Sequence, residues 1–483
     1  PSNVREPAHR AFPKVMEDWD MDRIVGDYAD AAERVKEAGL DGFELECYGH
    51  LLDSFWSPAI NNRDDEHGGT LDNRLRFTHR VLDAIRDRVG PEYIVGLRLV
   101  ADEDMEKGIS RDEGLEICRR MIATGQVDFL NIIRGHIEHD GPLSRVIPVT
   151  GMASAPHLDF AGQVRAETKF PVFHAARITD VATARHAVAE GKLDMVGMTR
   201  AHIADPHIAR KVTQGREDEV RPCVGATYCL DRIYEGRATT CIHNAATGRE
   251  ATMPHQIPRT TGKQRHIVVV GAGPAGLEAS RVSAERGHRV TLLEAAPHAG
   301  GQIKLAAMVK RRSELIGIVD WRVSRLDRLG VEVRYNTYAE ADDVTALEPD
   351  VVIVATGGLP REDAISVGGE LATSSWDVIS GDAGIGEDVL LYDDNGAHPG
   401  MAATESIMTK GAKLEIVSPE RMFAPEIGGL NLVPYIERLQ GHGAAITTMT
   451  RVHSLERKGN KIAATLTSPY NEAVIGKRLI DQV

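Results

Sequence analysis

The stretch "HIVVVGAGPAGLEASRVSAERGHRVTLLEAA", beginning at His266, constrains the fold of this chain more than any other. A short apolar run leads into Gly271, Gly273 and Gly276. A helical pattern follows, and then a second apolar run that ends at Glu294. Strand, glycine turn, helix and strand in that order form the first half of a Rossmann dinucleotide site. The first glycine permits the tight turn. The second lets backbone approach a pyrophosphate at the helix N-terminus, and the third lets helix and strand pack closely. The Glu294 carboxylate is suited to accept a hydrogen bond from a ribose 2′-OH. The spacing therefore predicts a dinucleotide-binding domain over residues 265–380.

A second nucleotide-binding-like domain is expected over 381–483. There the strand "DVLLYDDNGAHPG" carries Asp393, Asp394 and Asn395 where a phosphate-binding turn would need glycines. Two carboxylates facing a pyrophosphate repel it, so this domain reads as degenerate and a structural strand and loop are favoured over an NAD(P)H site.

Upstream, from Met21 to Gln214, helix-period and strand-period segments alternate. The strands are "DGFELEC", "YIVGLRLV", "VDFLNII", "PVFHAARI" and "LDMVGMT". Such alternation gives a parallel sheet, either doubly wound or a (β/α)8 barrel. Five strands do not close an eight-stranded barrel, so a barrel requires three further units before Pro1. "ATMPHQIPRTTGKQRH" supplies a polar linker over 251–264.

The formal net charge of −14 disfavours nucleic acid or an anionic membrane as partner. No apolar run reaches the roughly 20 residues of a bilayer span. Five cysteines and no secretory leader point to a reducing, cytoplasmic setting. Three of them, Cys223, Cys229 and Cys241, cluster within segment 221–250, with Ala226 where a C-x-x-C-x-x-C site needs a thiolate. Cys118 reads as a buried helix residue.

"GFELECYGHLLDSFWSPAINNRDDEHGGTLDNRLRF", with "VGLRLVADE", "VFHAARI" and "MVGMTRAHIADP", resembles the Old Yellow Enzyme flavoproteins. The cysteine segment and the attached dinucleotide domain are similar to the multidomain branch that includes 2,4-dienoyl-CoA reductase, trimethylamine dehydrogenase and histamine dehydrogenase. The resemblance implies an FMN-binding TIM barrel over 1–220, of which strands four to eight are present. It also implies a [4Fe-4S] segment and a flavin disulfide-reductase-like Rossmann domain binding FAD or ADP. "ATGG" at Ala355–Gly358 suits that domain.

By the same resemblance Arg98 lies at the flavin pyrimidine edge. Ala176, Arg177, Met198, Thr199 and Arg200 lie in the loops that cradle the FMN phosphate, with Arg200 the phosphate ligand. Gln302 joins the FAD contacts. Cys223, Cys229 and Cys241 match the first, third and fourth cluster ligands, and Ala226 replaces the second. Three outcomes stay open: a [4Fe-4S] cluster with an outside ligand, a [3Fe-4S] cluster, or a site that is empty or holds zinc.

The resemblance places Tyr48, His50 and His136 over the flavin as candidate catalytic residues. Trp56 could stack on a cationic amine and Glu46 could complement its charge; each could instead be structural. His174 reads as structural. The expected activity is oxidative N-demethylation of a small amine of the dimethylglycine or N-methylproline kind, with electrons passed to a cluster, FAD or an electron-transfer protein. The alternative is an NAD(P)H-dependent enoate or dienoyl-CoA reductase. A homo-oligomer or hetero-complex is expected. Both chain ends read as cuts in a longer protein.

Overall fold

A computed structural model describes residues 1–6, 10–361 and 363–483. It divides into two compact units, Pro1–Ala201 and His202–Val483.

The first unit is built on five parallel strands paired in chain order: β1 (Gly42–Cys47), β2 (Ile94–Val100), β3 (Phe129–Ile133), β4 (Val172–His174) and β5 (Met195–Val196). α1 (Asp18–Glu37) precedes β1. Short α2 (Leu51–Trp56) and long α3 (Leu71–Val89) lie between β1 and β2. α4 (Arg111–Ala123) follows β2, α5 (Asp140–Val146) and α6 (Leu158–Thr168) follow β3, and α7 (Val181–Ala189) follows β4. Strand order equal to chain order, with a helix in every crossover, is barrel topology rather than the reversing order of a doubly wound sheet.

Side chains alternate between the two faces of each strand. Leu45, Leu97, Leu99, Leu130, Ile132 and Val172 face the helices and form the core with Val81, Leu82, Ile85 and Ile117. The alternate positions, Glu44, Glu46, Arg98, Asn131, Phe129 and Phe173, stand on the opposite face. Phe129 and Phe173 stack there with centroids 4.3 Å apart, and Asn131 Nδ2 donates to Glu44 Oε2 at 3.0 Å. One face is thus apolar and helix-covered; the other carries the charged and amide side chains beside one aromatic stack and faces inward in a barrel.

The second unit opens with α8 (Thr199–Ala204, which begins in the first), α9 (Ile208–Thr213) and α10 (Tyr228–Tyr234). A four-stranded parallel sheet follows, ordered β8-β7-β6-β9: β6 (His266–Val270), β7 (Arg289–Leu293), β8 (Glu332–Arg334) and β9 (Val351–Val354). α11 (Pro274–Glu285) joins β6 to β7; α12 (Gln302–Met308) and α13 (Gly317–Arg328) join β7 to β8; α14 (Ala341–Thr345) joins β8 to β9.

After α15 (Ser375–Ser380) comes a smaller parallel sheet of β10 (Asp388–Tyr392), β11 (Lys413–Val417) and β12 (Ala445–Thr447), with crossovers α16 (His398–Thr409) and α17 (Gly429–His442). An antiparallel meander, β13 (Arg451–Lys458), β14 (Lys461–Thr467) and β15 (Val474–Ile480), closes the described chain. No helix among the described residues is long and apolar enough to cross a membrane.

Candidate functional site

The polar residues of the first unit converge at the C-terminal ends of β1 and β2, the working end of a parallel βα array. Glu46 and Arg98 are register partners, with Arg98 Nε 3.8 Å from Glu46 Oε1. The Arg98 guanidinium lies 6.0 Å from the Tyr48 ring centroid. That ring packs with Val100, Ile133 and Val146. Burial raises the Glu46 carboxyl above its ordinary value and Glu44 adds to this, while Arg98 and His50 oppose it. Glu46, Tyr48, His50 and Arg98 therefore lie together at the C-terminal ends of β1 and β2.

His136 is held separately. Its Nδ1 donates to the Glu103 carbonyl oxygen at 2.8 Å, and Nε2 lies 3.6 Å from Glu138. Glu103, buried at the end of β2, also accepts from Ser57 Oγ at 2.7 Å and from the Ile109 amide at 2.6 Å.

Trp56 corrects an expectation. It is fully buried, and its Nε1 donates to Thr78 Oγ1 at 2.8 Å. It fills the core between α2 and α3 with Phe55 and Phe77 and offers no face to a ligand. His174 is buried as expected. Its Nδ1 meets the Ile132 carbonyl at 2.7 Å and so carries the ring proton; burial lowers its pKa to about 4, keeping it neutral.

At the ends of β4 and β5, Ala176 and Arg177 are buried. Arg177 adopts a left-handed φ of 53°. Its Nε donates to the Met152 carbonyl at 3.1 Å, and its own carbonyl accepts from the Ala155 amide at 3.1 Å. Arg200 Nη1 donates to the Pro148 carbonyl at 2.8 Å. Both arginines thus anchor the segment after α5, which sequence reasoning left unassigned. Met198 is half-buried and Thr199 exposed at the start of α8. Ala176, Arg177, Met198, Thr199 and Arg200 thus lie just beyond the ends of two paired neighbouring strands.

In the second unit the glycine turn has the predicted geometry. A Cβ on Gly271, whose φ is +100°, would lie 2.4 Å from the Ala355 carbonyl, and one on Gly276 would lie 1.8 Å from the Gly271 carbonyl. A Cβ on Gly273 would meet nothing within 4 Å, which leaves open the side from which a pyrophosphate approaches. Glu294 accepts from the Ala272 amide at 2.6 Å and the Ala296 amide at 2.8 Å. These bonds fix its carboxylate at the turn and leave lone pairs for a ribose hydroxyl. Gln302 Nε2 donates to the Gly358 carbonyl at 3.2 Å, linking α12 to the ATGG turn.

The turn after β10 is closed. Asp393 is buried and accepts from the Asn395 amide at 3.2 Å and the Gly396 amide at 2.9 Å. A Cβ on Gly400, in the first turn of α16, would lie 2.9 Å from that carboxylate. The side chain occupies the place and the donors a phosphate would use.

The cysteine segment packs on α11 and α13. Arg221 stacks over Trp321 at 4.4 Å. Arg322 donates to Glu278 at 2.9 Å and to the His243 carbonyl at 3.1 Å. Burial works against the Glu278 charge, yet its bond to Arg281 and the charges of Arg281, Arg322 and Arg221 prevail and lower its pKa to about 2. Ala226 rests on the apolar cluster of Val224, Leu315 and Ile318. Cys223, Cys229 and Cys241 are half-buried thiols. Among the described residues no three His, Cys, Asp or Glu side chains gather closely enough to hold a metal ion. With a methyl group in the second ligand position, this donor set does not fit a four-thiolate cluster.

Comparison with known proteins matches residues 1–219 to the NADH:flavin oxidoreductase / NADH oxidase family and residues 223–385 to the pyridine nucleotide-disulphide oxidoreductases. The chain is 56% identical over its whole length to a probable N-methylproline demethylase of Rhizobium meliloti, covering 71% of that protein. It is 40% identical to an N,N-dimethylglycine/sarcosine dehydrogenase of Chromohalobacter salexigens, covering all of this chain and 71% of that one. Among solved structures, a 2-naphthoyl-CoA reductase in complex with 2-naphthoyl-CoA superposes with a TM-score of 0.91 at 26% identity, covering 100% of this chain and 72% of the other.

Proposed function

The chain belongs to the NADH:flavin oxidoreductase / NADH oxidase family, and from that premise we propose that it is a flavin-dependent demethylase of small N-methylated amino acids of the N-methylproline or dimethylglycine kind. The observation that carries this reading is the Glu46–Arg98–Tyr48–His50 cluster at the ends of β1 and β2, taken with the similarity to two enzymes named for such substrates.

Bound FMN would supply the acceptor for a hydride from the C–H beside nitrogen, leaving an iminium that water hydrolyses to the demethylated amine and formaldehyde. Arg98 would stabilise the negative charge that the flavin gains. The FMN phosphate goes to the Ala176–Arg177 turn and to Met198, Thr199 and Arg200. A substrate ammonium has no free lone pair and cannot lose hydride. His50, exposed at the strand end, takes its proton at a ring nitrogen. Glu46 draws in the ammonium, and the Tyr48 hydroxyl orients the substrate. His136 lines the rim.

FAD or ADP occupies the Gly271–Gly276 turn, with Glu294 and Gln302 beside it. The three cysteines remain thiols within the second unit, and no electron step runs through them. FAD held at the Gly271–Gly276 turn would supply a second redox centre; with ADP in its place, an electron-transfer protein bound by a homo-oligomer or hetero-complex would be the acceptor. Iron and acid-labile sulfide well below stoichiometric amounts are the expected analysis of the purified holoenzyme; stoichiometric amounts overturn this part.

The reading is tested by adding N-methylproline or dimethylglycine to the enzyme without oxygen. Bleaching of the flavin and release of formaldehyde are expected. A second reading, an NAD(P)H-dependent reductase of conjugated thioesters, is favoured by the likeness to 2-naphthoyl-CoA reductase. Rapid bleaching by NADPH and none by the amines would select it.

A further inference from the structure

Tyr48 and His50 sit on a tight turn between β1 and α2, and their placement depends on one buried carboxylate. Asp53 is 5% exposed. Its Oδ2 accepts the Gly49 amide at 2.5 Å and its Oδ1 accepts the His50 amide at 3.0 Å. Gly49 is left-handed at φ +66°, and a Cβ there would lie 2.0 Å from Ile137 Cδ1, so the turn is also wedged against the loop after β3. An aspartate three residues into a helix ordinarily caps the residue before the helix. This one also takes the amide outside the helix, on a helix of only six residues.

We propose that Asp53 is the positioning residue of this turn: by holding the two backbone N–H groups that follow Tyr48, it sets where the Tyr48 and His50 side chains meet substrate. The inference rests on the proposed role of those two side chains and adds the group that orients them.

The carboxylate faces Glu103 from the end of β2, Tyr28 from α1, Cys47 from β1 and the backbone of its own turn. Burial, with the Glu103 charge added, raises its pKa to about 7; the amides of Gly49, His50 and Ser54 oppose this. Opening the turn returns the carboxyl to water and to its ordinary value near 3.8. Closure therefore favours the protonated form. The closed turn is most secure at low pH and loses that advantage as pH rises towards about 7.

The test is amide exchange at Gly49 and His50 in the holoenzyme, corrected for intrinsic exchange, from about pH 6 to about pH 8.5, in the wild type and in Asp53→Asn. Wild-type protection is expected to fall by about tenfold over this range, with kcat/KM for the amine changing in parallel at constant flavin content. Asp53→Asn, which has no charge to lose, gives a flat profile. A flat wild-type profile, or an unchanged slope in Asp53→Asn, overturns the proposal. If the variant does not retain flavin, the wild-type profile alone still decides. Amide exchange needs no substrate, so failure of every amine to reduce the flavin would overturn the demethylase reading without touching this result.

Discussion

Two turns in the second unit occupy equivalent places and differ in what fills them. Each follows a buried parallel strand and precedes a helix: Gly271–Gly276 after β6, and Asp393–Gly396 after β10. At the first, glycines keep the helix N-terminus bare, and the one acidic residue, Glu294, sits at the end of the neighbouring strand. At the second, Asp393 turns inward and takes two of the amides itself. The backbone plan offers an anion site at both turns. The side chain decides whether it is open to a ligand or satisfied internally.

The sharpest way to break this contrast is to block the open turn. Gly276→Val places a side chain against the Gly271 carbonyl, where even a Cβ would lie at 1.8 Å. A clash this close exceeds the ordinary overpacking cost of about 3 kcal/mol, so dinucleotide affinity is expected to fall by more than about a hundredfold. Extraction should find FAD or ADP depleted and FMN retained. Depletion of both would contradict separate sites, and depletion of neither would contradict dinucleotide binding at this turn.

A smaller effect is expected from Glu294→Ala. Removing a charged acceptor for a ribose hydroxyl costs about 1.5–3 kcal/mol. That is roughly tenfold to a hundredfold in affinity, read by equilibrium dialysis with ADP and FAD.

The closed turn gives the smallest effect on ligands and a measurable one on stability. Asp393→Ala leaves the Asn395 and Gly396 amides without their acceptor. The cost is about 1–3 kcal/mol, seen as a lower Tm, with no gain of NADPH binding. Burial raises the Asp393 carboxyl above its ordinary value. Its contribution is therefore fully present below the unfolded carboxylate range and lost as pH rises through the raised folded value. The Tm gap between wild type and Asp393→Ala should narrow in that direction. A gap that widens would mean that the ionised form is the one the fold prefers.

The contrast between these turns was legible in sequence because turn chemistry is local: glycines at fixed offsets in one, Asp393 and Asp394 in the other. The five βα units of the first unit were equally plain from their periodicity, whereas the Glu46–Arg98 pairing depends on strand register and was not. Trp56 was misread because α2 is too short to show a helical period, so nothing local fixed which way the indole points. Asp53 was missed although an acid three residues after a helix start was a usable sign. The meander β13–β15 escaped notice for a physical reason too. A register shift between Val452 and Ser454 breaks the two-residue alternation that marks a strand. The sequence therefore showed a nucleotide-binding-like domain over 381–483 but not the antiparallel meander within it.

The central claim is that electrons enter from an amine and not from a nicotinamide nucleotide, as an open first turn and a closed second turn suggest. Anaerobic stopped-flow spectroscopy of the holoenzyme tests it directly, with N-methylproline, dimethylglycine and NADPH offered in turn. An N-methylated amino acid should bleach the flavin within the dead time to seconds while NADPH leaves it oxidised. Rapid bleaching by NADPH, with none by either amine, would contradict the account.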